Sequence, residues 1–173
     1  SYVDHWGDWS MPIGRVPAAL LDVAHKNGVA VSSVAGIPFG ALSPEYASMF
    51  AGLKGQDMPK KAASYLAYYG IDGLGYNSEF TSSPGDVANI RNFHVALNKE
   101  MKSKNPIFEN MWYDGTTDNG NRWFDQGLDN HNKKNFGKAG EEAASLFFNY
   151  NWSTGSVLTA SASFAETLGR SPL

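Results

Sequence analysis

The stretch GIDGLGYNSEF, residues 70–80, starts as a buried strand does and ends with an amide, Asn77, and a carboxylic acid, Glu79, two positions apart. In a strand, residues i and i+2 face the same way, so these side chains are expected to point together. Glu suits general acid catalysis, because burial can raise its pKa until it protonates a leaving oxygen. Glycosidic cleavage of the usual kind then needs a second carboxylate as nucleophile or base. Here the partner is an amide, which cannot attack. It can hydrogen-bond an N-acetyl group and hold it against the anomeric carbon. The substrate's own acetamide then becomes the nucleophile, and an oxazoline-like intermediate forms. The pair makes sense for a sugar with a 2-acetamido group, as in N-acetylglucosamine. On the N-x-E spacing alone, Asn77 also reads as a turn residue and Glu79 as a solvated one.

The elements that must position this pair alternate along the chain. Strand-like runs are expected near Tyr2–Trp6, Val29–Gly36, Gly70–Tyr76, Ile107–Tyr113 and Ser145–Tyr150. Helical spacing lies between them. RVPAALLDVAHKNG places Val16, Leu20, Val23 and Ala24 on one face and stops at Asn27-Gly28. PKKAASYLAYYG has Pro59 in its first turn, apolar Ala62, Leu66 and Tyr69, and Gly70 as its stop. A third helix is expected to start with Asp86 as N-cap, and a fourth to end at Gly169. Strand and helix in alternation predict a parallel βα sheet, and the continuous apolar strands fit one covered on both faces. The first strand is followed by WGDWSMPIG, which lacks the G-x-G-x-x-G of an open dinucleotide-binding sheet. Polar and aromatic residues gather just after the strands, at the ends where a (β/α)8 TIM barrel keeps its active site. A full barrel needs eight strands and roughly 250 residues. The expectation is therefore that residues 1–173 form part of a barrel domain, about five βα units, with the remainder supplied by the parent chain.

Composition narrows the function. The chain has 173 residues, 42% of them hydrophobic and 18% charged, which is a globular balance. Aromatic residues make up 13%, many of them beside Gly, Asn and Asp, a mixture that covers sugar faces and binds hydroxyls, or that packs a core. The net charge is −3 with no basic run, so nucleic acid is not an expected partner. No apolar run approaches the roughly 18 residues of a membrane span. There is no Cys, so disulfides and thiolate metal sites are excluded. His5, His25, His94 and His131 show neither H-x-H nor H-E-x-x-H spacing. His5 beside Asp4 and Asp8 is the one tempting grouping, and neither a metal nor a cofactor is expected.

DGLGYNSE resembles the D-G-x-x-x-D-x-E pattern of family 18 chitinase-like hydrolases, with Asn in place of the second Asp. Taken with the rest of the chain, the sequence resembles glycoside hydrolase family 85, the endo-β-N-acetylglucosaminidases. YVDHWGDWS is similar to the strand and loop around the family's Y-W-G-G, and AHKNGVAVSSVAGIPFG to its A-H-x-N-G-V-x-V block. YYGIDGLGYNSE is similar to Y-Y-G-F-D-G-W-x-x-N-x-E, and MWYDGTTDNGNRWFDQGLDNHN to M-W-Y-D-S-x-x-x-x-G-x-x-x-W-Q-x-x-L. LFFNYNWS matches F-L-N-x-W-W, with Asn151-Trp152 where the family often has paired Trp. The resemblance implies a retaining, substrate-assisted hydrolase that cuts the β1,4 bond between the two core N-acetylglucosamines of an N-glycan. It implies that Glu79 serves as acid and then base and that Asn77 orients the acetamide. Tyr113 would lie near the same acetamide, and Trp6, Trp123 and Trp152 would stack on sugar rings. Asn149 would hydrogen-bond sugar or simply end a strand. Asp114 is read as a cap rather than a catalyst.

The partners implied are the N-glycans of glycoproteins or glycopeptides. The family has secreted bacterial and cytosolic eukaryotic members. The Asn/Gly/Ser-rich, Cys-free composition points to a secreted or cell-surface bacterial protein, or a cytoplasmic one if the source is eukaryotic. Two rival readings stay open: a family 18-like chitinase or endoglycosidase that has lost one Asp, and a non-catalytic carbohydrate-binding barrel.

Overall fold

The computed structural model describes residues 3–8, 16–151 and 154–171. Its strands are β1 (His5–Asp8), β2 (Ala30–Gly36), β3 (Gly40–Ala41), β4 (Gly73–Asn77), β5 (Phe80–Thr81), β6 (Glu109–Tyr113) and β7 (Ser145–Phe147). Its helices are α1 (Ala18–Lys26), α2 (Pro44–Gly52), α3 (Met58–Tyr69), α4 (Pro84–Met101), α5 (Lys133–Phe136) and α6 (Ser156–Thr167). Five strands form one parallel sheet in the order β1-β2-β4-β6-β7. Each lies beside the one before it, with no reversal of order, so the sheet is an arc of a (β/α)8 barrel rather than a doubly wound sheet. No described helix is long and apolar enough to cross a membrane.

The two faces of the arc differ in side-chain size. On β4, Leu74 and Tyr76 face the helices and pack with Ile90, Phe93 and Leu97 of α4 and with Trp112 of β6. Gly73, Gly75 and Asn77 alternate onto the opposite, inner face. A Cβ on Gly73 would lie 2.1 Å from Ser32 Oγ, and one on Gly75 would lie 3.1 Å from Val34 Cγ2. The small residues let neighbouring strands fill the inner layer. At the N-terminal strand ends, the buried Asp72 carboxylate accepts Val31 N–H at 2.8 Å and Asn105 Nδ2 at 2.8 Å, and pairs with His25 Nε2 at 2.7 Å. It joins α1, β2 and the approach to β6 before β4 begins.

Several boundaries differ from the sequence reading. The strand expected at Gly70–Tyr76 is β4, which begins at Gly73 and ends at Asn77, so Glu79 lies beyond it. The N-cap of α4 is Ser83 rather than Asp86; Asp86 is the N3 residue of a capping box, in which each residue's side chain serves the other's backbone N–H. Ser fits this cap because Pro84 follows it at the first helical position, where no N–H is needed. Helix α1 buries Leu21 and Ala24, while Val23 is exposed. Tyr69 of α3 is likewise half-exposed, while Ala63 and Leu66 supply the buried contacts. Gly28 and Gly70 do take the left-handed conformation, both with φ +70°, as the helix stops require.

Candidate active site

Strand β4 delivers Asn77 to the C-terminal end of the sheet and stops there. The chain then turns tightly, with Glu79 N–H donating to the Asn77 carbonyl at 3.1 Å. The same turn brings the side chains together, and Asn77 Nδ2 donates to Glu79 Oε2 at 3.2 Å. The expected pairing is present, but a turn around Ser78 produces it rather than strand alternation.

The turn is held from three directions. Ser78 is fully buried, and its hydroxyl donates to the Tyr113 carbonyl at 2.6 Å. Thr116, beyond β6, places its hydroxyl 2.9 Å from the Ser78 carbonyl and 2.8 Å from that of Phe80, and accepts Phe80 N–H at 3.1 Å. From the β2 side, Gly40 N–H donates to the Glu79 carbonyl at 3.2 Å, and β3 pairs with β5 just after the turn. Further along, Ser82 N–H donates to the Gly120 carbonyl at 2.9 Å. Sequence reasoning missed the roles of Ser78 and Thr116, which depend on contacts remote in sequence, and assigned none to Gly120 although it matches the glycine of the M-W-Y-D block.

Tyr113 ends β6, one position beyond the Tyr76–Trp112 pair, and so neighbours Asn77 across the strands. Its ring is buried between Phe124, 6.0 Å away, and Phe147, 5.8 Å away. Burial pushes its phenol up to about 12, and the charges of Glu79, Asp114 and Tyr150 push the same way. The hydroxyl thus stays a neutral hydrogen-bonding group beside Glu79 at ordinary pH. Gly115 completes this corner. A Cβ there would lie 2.7 Å from the Ser78 carbonyl, 2.8 Å from Phe124 and 3.2 Å from Glu79 Cγ.

Asp114 is fully buried, and Asn149 N–H donates to its Oδ1 at 3.0 Å. Burial pushes its carboxyl up to about 6, against the pull of hydrogen bonds from the Asn149 and Gln126 backbone N–H groups. Asn149 is itself buried just past β7, and its Oδ1 has no hydrogen-bond partner among the described residues. Trp123 is exposed on the segment after β6, with its backbone N–H donating to the Gly115 carbonyl at 3.0 Å. Trp6 lies on the other side of the sheet, packed against Leu21, Ala24 and Val31 under α1. The structure therefore brings together Asn77, Glu79 and Tyr113, sets Trp123 and Asn149 on adjoining loops, and places Trp6 apart. Trp152 lies outside the described residues.

Among the described residues, one cluster has metal-ligand chemistry. Asp125, Asp129 and His131 place ligand-type atoms within 4.8 Å of one another. His131 Nδ1 already pairs with Asp125 Oδ1 at 2.9 Å, and that hydrogen bond raises the imidazole's pKa. At the other site singled out from the sequence, His5 Nε2 bonds Ser32 Oγ instead.

This architecture recurs in a solved structure. The glycoside hydrolase domain of Endo-D from Streptococcus pneumoniae R6 superposes with TM-score 0.81 at 25% identity, over 99% of this chain and 28% of that one. EndoBT-3987 from Bacteroides thetaiotamicron, solved with a Man5GlcNAc product, aligns at TM-score 0.43 and 17% identity, over 85% of this chain and 37% of that one. The chitinase domain of the spore coat protein CotE from Clostridium difficile aligns at TM-score 0.45 and 15% identity, over 98% of this chain and 57% of that one. No curated protein sequence matches the chain. The chain thus spans little more than a quarter of the Endo-D structure. The model of glycosyl hydrolase family 85 matches residues 1–173 throughout, and with the barrel arc and the Asn77–Glu79 turn in place, the chain belongs to that family.

Proposed function

We propose that this chain carries the reacting corner of an endo-β-N-acetylglucosaminidase acting on the chitobiose core of N-glycans. Glu79 protonates the leaving oxygen and then, as a carboxylate, activates the water that resolves the intermediate. Asn77 orients the 2-acetamido group, whose oxygen attacks the anomeric carbon and closes an oxazolinium ring. Water then opens the ring and restores the acetamide, so the anomeric configuration is retained.

The observation that carries this reading is the hydrogen bond from Asn77 Nδ2 to Glu79 Oε2. With Nδ2 on Glu79, Oδ1 is the acceptor left for the acetamide N–H. The burial of Asp114 supports the same assignment, because the carboxylate that follows Tyr113 is closed off from a sugar and cannot act as the nucleophile. Membership in family 85 and the likeness to the Endo-D domain support a glycosidase of this class.

The test is a matched pair of substrates that differ only at C2 of the sugar to be cleaved, one bearing an acetamido group and the other a hydroxyl. The acetamido substrate should be cleaved at least about 100-fold faster, as expected when a positioned internal nucleophile is removed. Equal rates would mean that a protein carboxylate attacks instead.

A further inference from the structure

The reaction outlined above makes no use of the Asp114 carboxylate, yet this group is fully buried. A buried carboxylate is costly unless it is paired or hydrogen-bonded. Its Oδ1 accepts Asn149 N–H at 3.0 Å, the Gln126 backbone N–H faces the same carboxylate, and its Oδ2 has no partner among the described residues. The two donors come from separate segments. Asn149 lies just past β7, and Gln126 lies in the loop that leaves β6.

Gln126 has a backbone that non-glycine residues rarely adopt, with φ +63°. Such a conformation persists where the surroundings over-determine it, and it clusters at functional sites. Here its Oε1 accepts Asn151 N–H at 3.2 Å and its Nε2 donates to the Phe124 carbonyl at 3.4 Å. Asp114 and Gln126 together therefore join two loops. On one loop stands Trp123, followed by Phe124, whose ring flanks Tyr113. On the other stands Asn149, with a buried, unpartnered amide oxygen.

We propose that Asp114 is a positioning residue: its buried carboxylate clasps the 123–126 segment to the end of β7 and so sets where Trp123 and Asn149 stand relative to Glu79 and Tyr113. The inference rests on the glycosidase reading given above. It predicts an effect on how the glycan is held rather than on bond cleavage.

The experiment compares Asp114→Ala, Asp114→Asn and Gln126→Gly with wild type in the full-length natural protein, on an N-glycopeptide, with thermal midpoints measured alongside. Asp114→Ala should raise KM about tenfold with kcat within about threefold, the signature of lost binding geometry. Asp114→Asn keeps an acceptor oxygen for both N–H groups and should return KM to within about threefold of wild type. Gln126→Gly should raise KM without lowering the midpoint, since glycine relieves the strained backbone. Amide hydrogen exchange at Asn149 and Gln126 reads the clasp without substrate, and should be at least about tenfold faster in Asp114→Ala. A folded Asp114→Ala protein with unchanged KM would overturn the proposal, as would failure of Asp114→Asn to rescue or unchanged exchange at both amides. A wild-type protein that leaves the glycopeptide intact would sink the glycosidase reading instead, while the exchange rates would still decide the clasp.

Discussion

The side-chain amide of Asn77 donates to Glu79 Oε2 at 3.2 Å across a turn with one intervening residue. The contact fixes both groups before any sugar arrives. In the proposed mechanism it leaves the amide oxygen of Asn77 as the acceptor for a substrate N–H, and it holds the Glu79 carboxyl just past the end of β4. Replacing Asn77 with Ala should therefore lower kcat by roughly 100-fold, the scale seen when one preorganised hydrogen-bonding group is removed from a transition state. Steady-state kinetics on an N-glycopeptide check this. A kcat close to wild type would show that Asn77 does not orient the acetamide.

The backbone of the turn depends on Thr116. Its hydroxyl serves the Ser78 carbonyl, the Phe80 carbonyl and the Phe80 N–H, all of them buried groups. Thr116→Val keeps the shape and removes the hydroxyl. It should cost about 1–3 kcal/mol, the penalty for stranding buried polar groups. Thermal unfolding should show a fall of about 2–4 °C per kcal/mol, and activity should fall with it because Glu79 is carried by the same segment. A Val variant with an unchanged midpoint would contradict this role.

Gly120 approaches the same segment from the loop side. Its φ is +80°, and a Cβ there would lie 2.3 Å from the Ser82 carbonyl oxygen. Gly120→Ala should destabilise the protein by more than about 1 kcal/mol, since backbone strain and a backbone clash act together. A denaturant melt measures the change, and an Ala variant as stable as wild type would show that the loop can move aside.

His94 makes stability depend on pH. It is buried on α4 against Tyr76, at 4.9 Å between rings, with Phe93 and Trp112 further around it. Burial lowers its pKa from 6.5 to about 3. Between those values the unfolded chain binds a proton that the folded chain refuses, so this residue's contribution to stability is lost as pH falls from about 6.5 toward about 3. In His94→Phe, the acid side of the stability–pH curve should flatten. A curve of unchanged slope would mean that other groups set the acid limit.

Much of the architecture was legible because it follows from local patterns. The alternation of apolar runs with helical spacing pointed to a parallel βα sheet, which the strands do form, and Gly28 and Gly70 marked helix stops that the backbone does take. The pairing of Asn77 with Glu79 was legible, but its cause was not. The period-two rule extends the strand through Glu79, whereas the ladder ends at Asn77 and a tight turn does the pairing. Strands β3 and β5 are two residues each, too short to show any periodicity. Helix α2 escaped notice although Ser43-Pro44 offers a cap and a first-turn proline. Ser83 and Asp86 are both good N-cap types, so composition could not choose between them, and Pro84 was the clue. Trp6 sits near a strand end, as sugar-binding rings do, but which face it occupies depends on register, and its ring packs under α1. Thr116, Gly115 and Gln126 carry no motif, since each acts only through partners that the fold brings near.

Under the proposed reading, Glu79, aligned by Asn77, cuts the core of an N-glycan. The most direct measurement is mass spectrometry of an N-glycopeptide incubated with the full-length natural protein, with Glu79→Gln as the control. The expected product is a peptide retaining a single N-acetylglucosamine, formed by wild type and at least about 100-fold more slowly by the Gln variant, as loss of a general acid requires. An intact glycopeptide from well-folded wild type, or equal cleavage by both proteins, would contradict it.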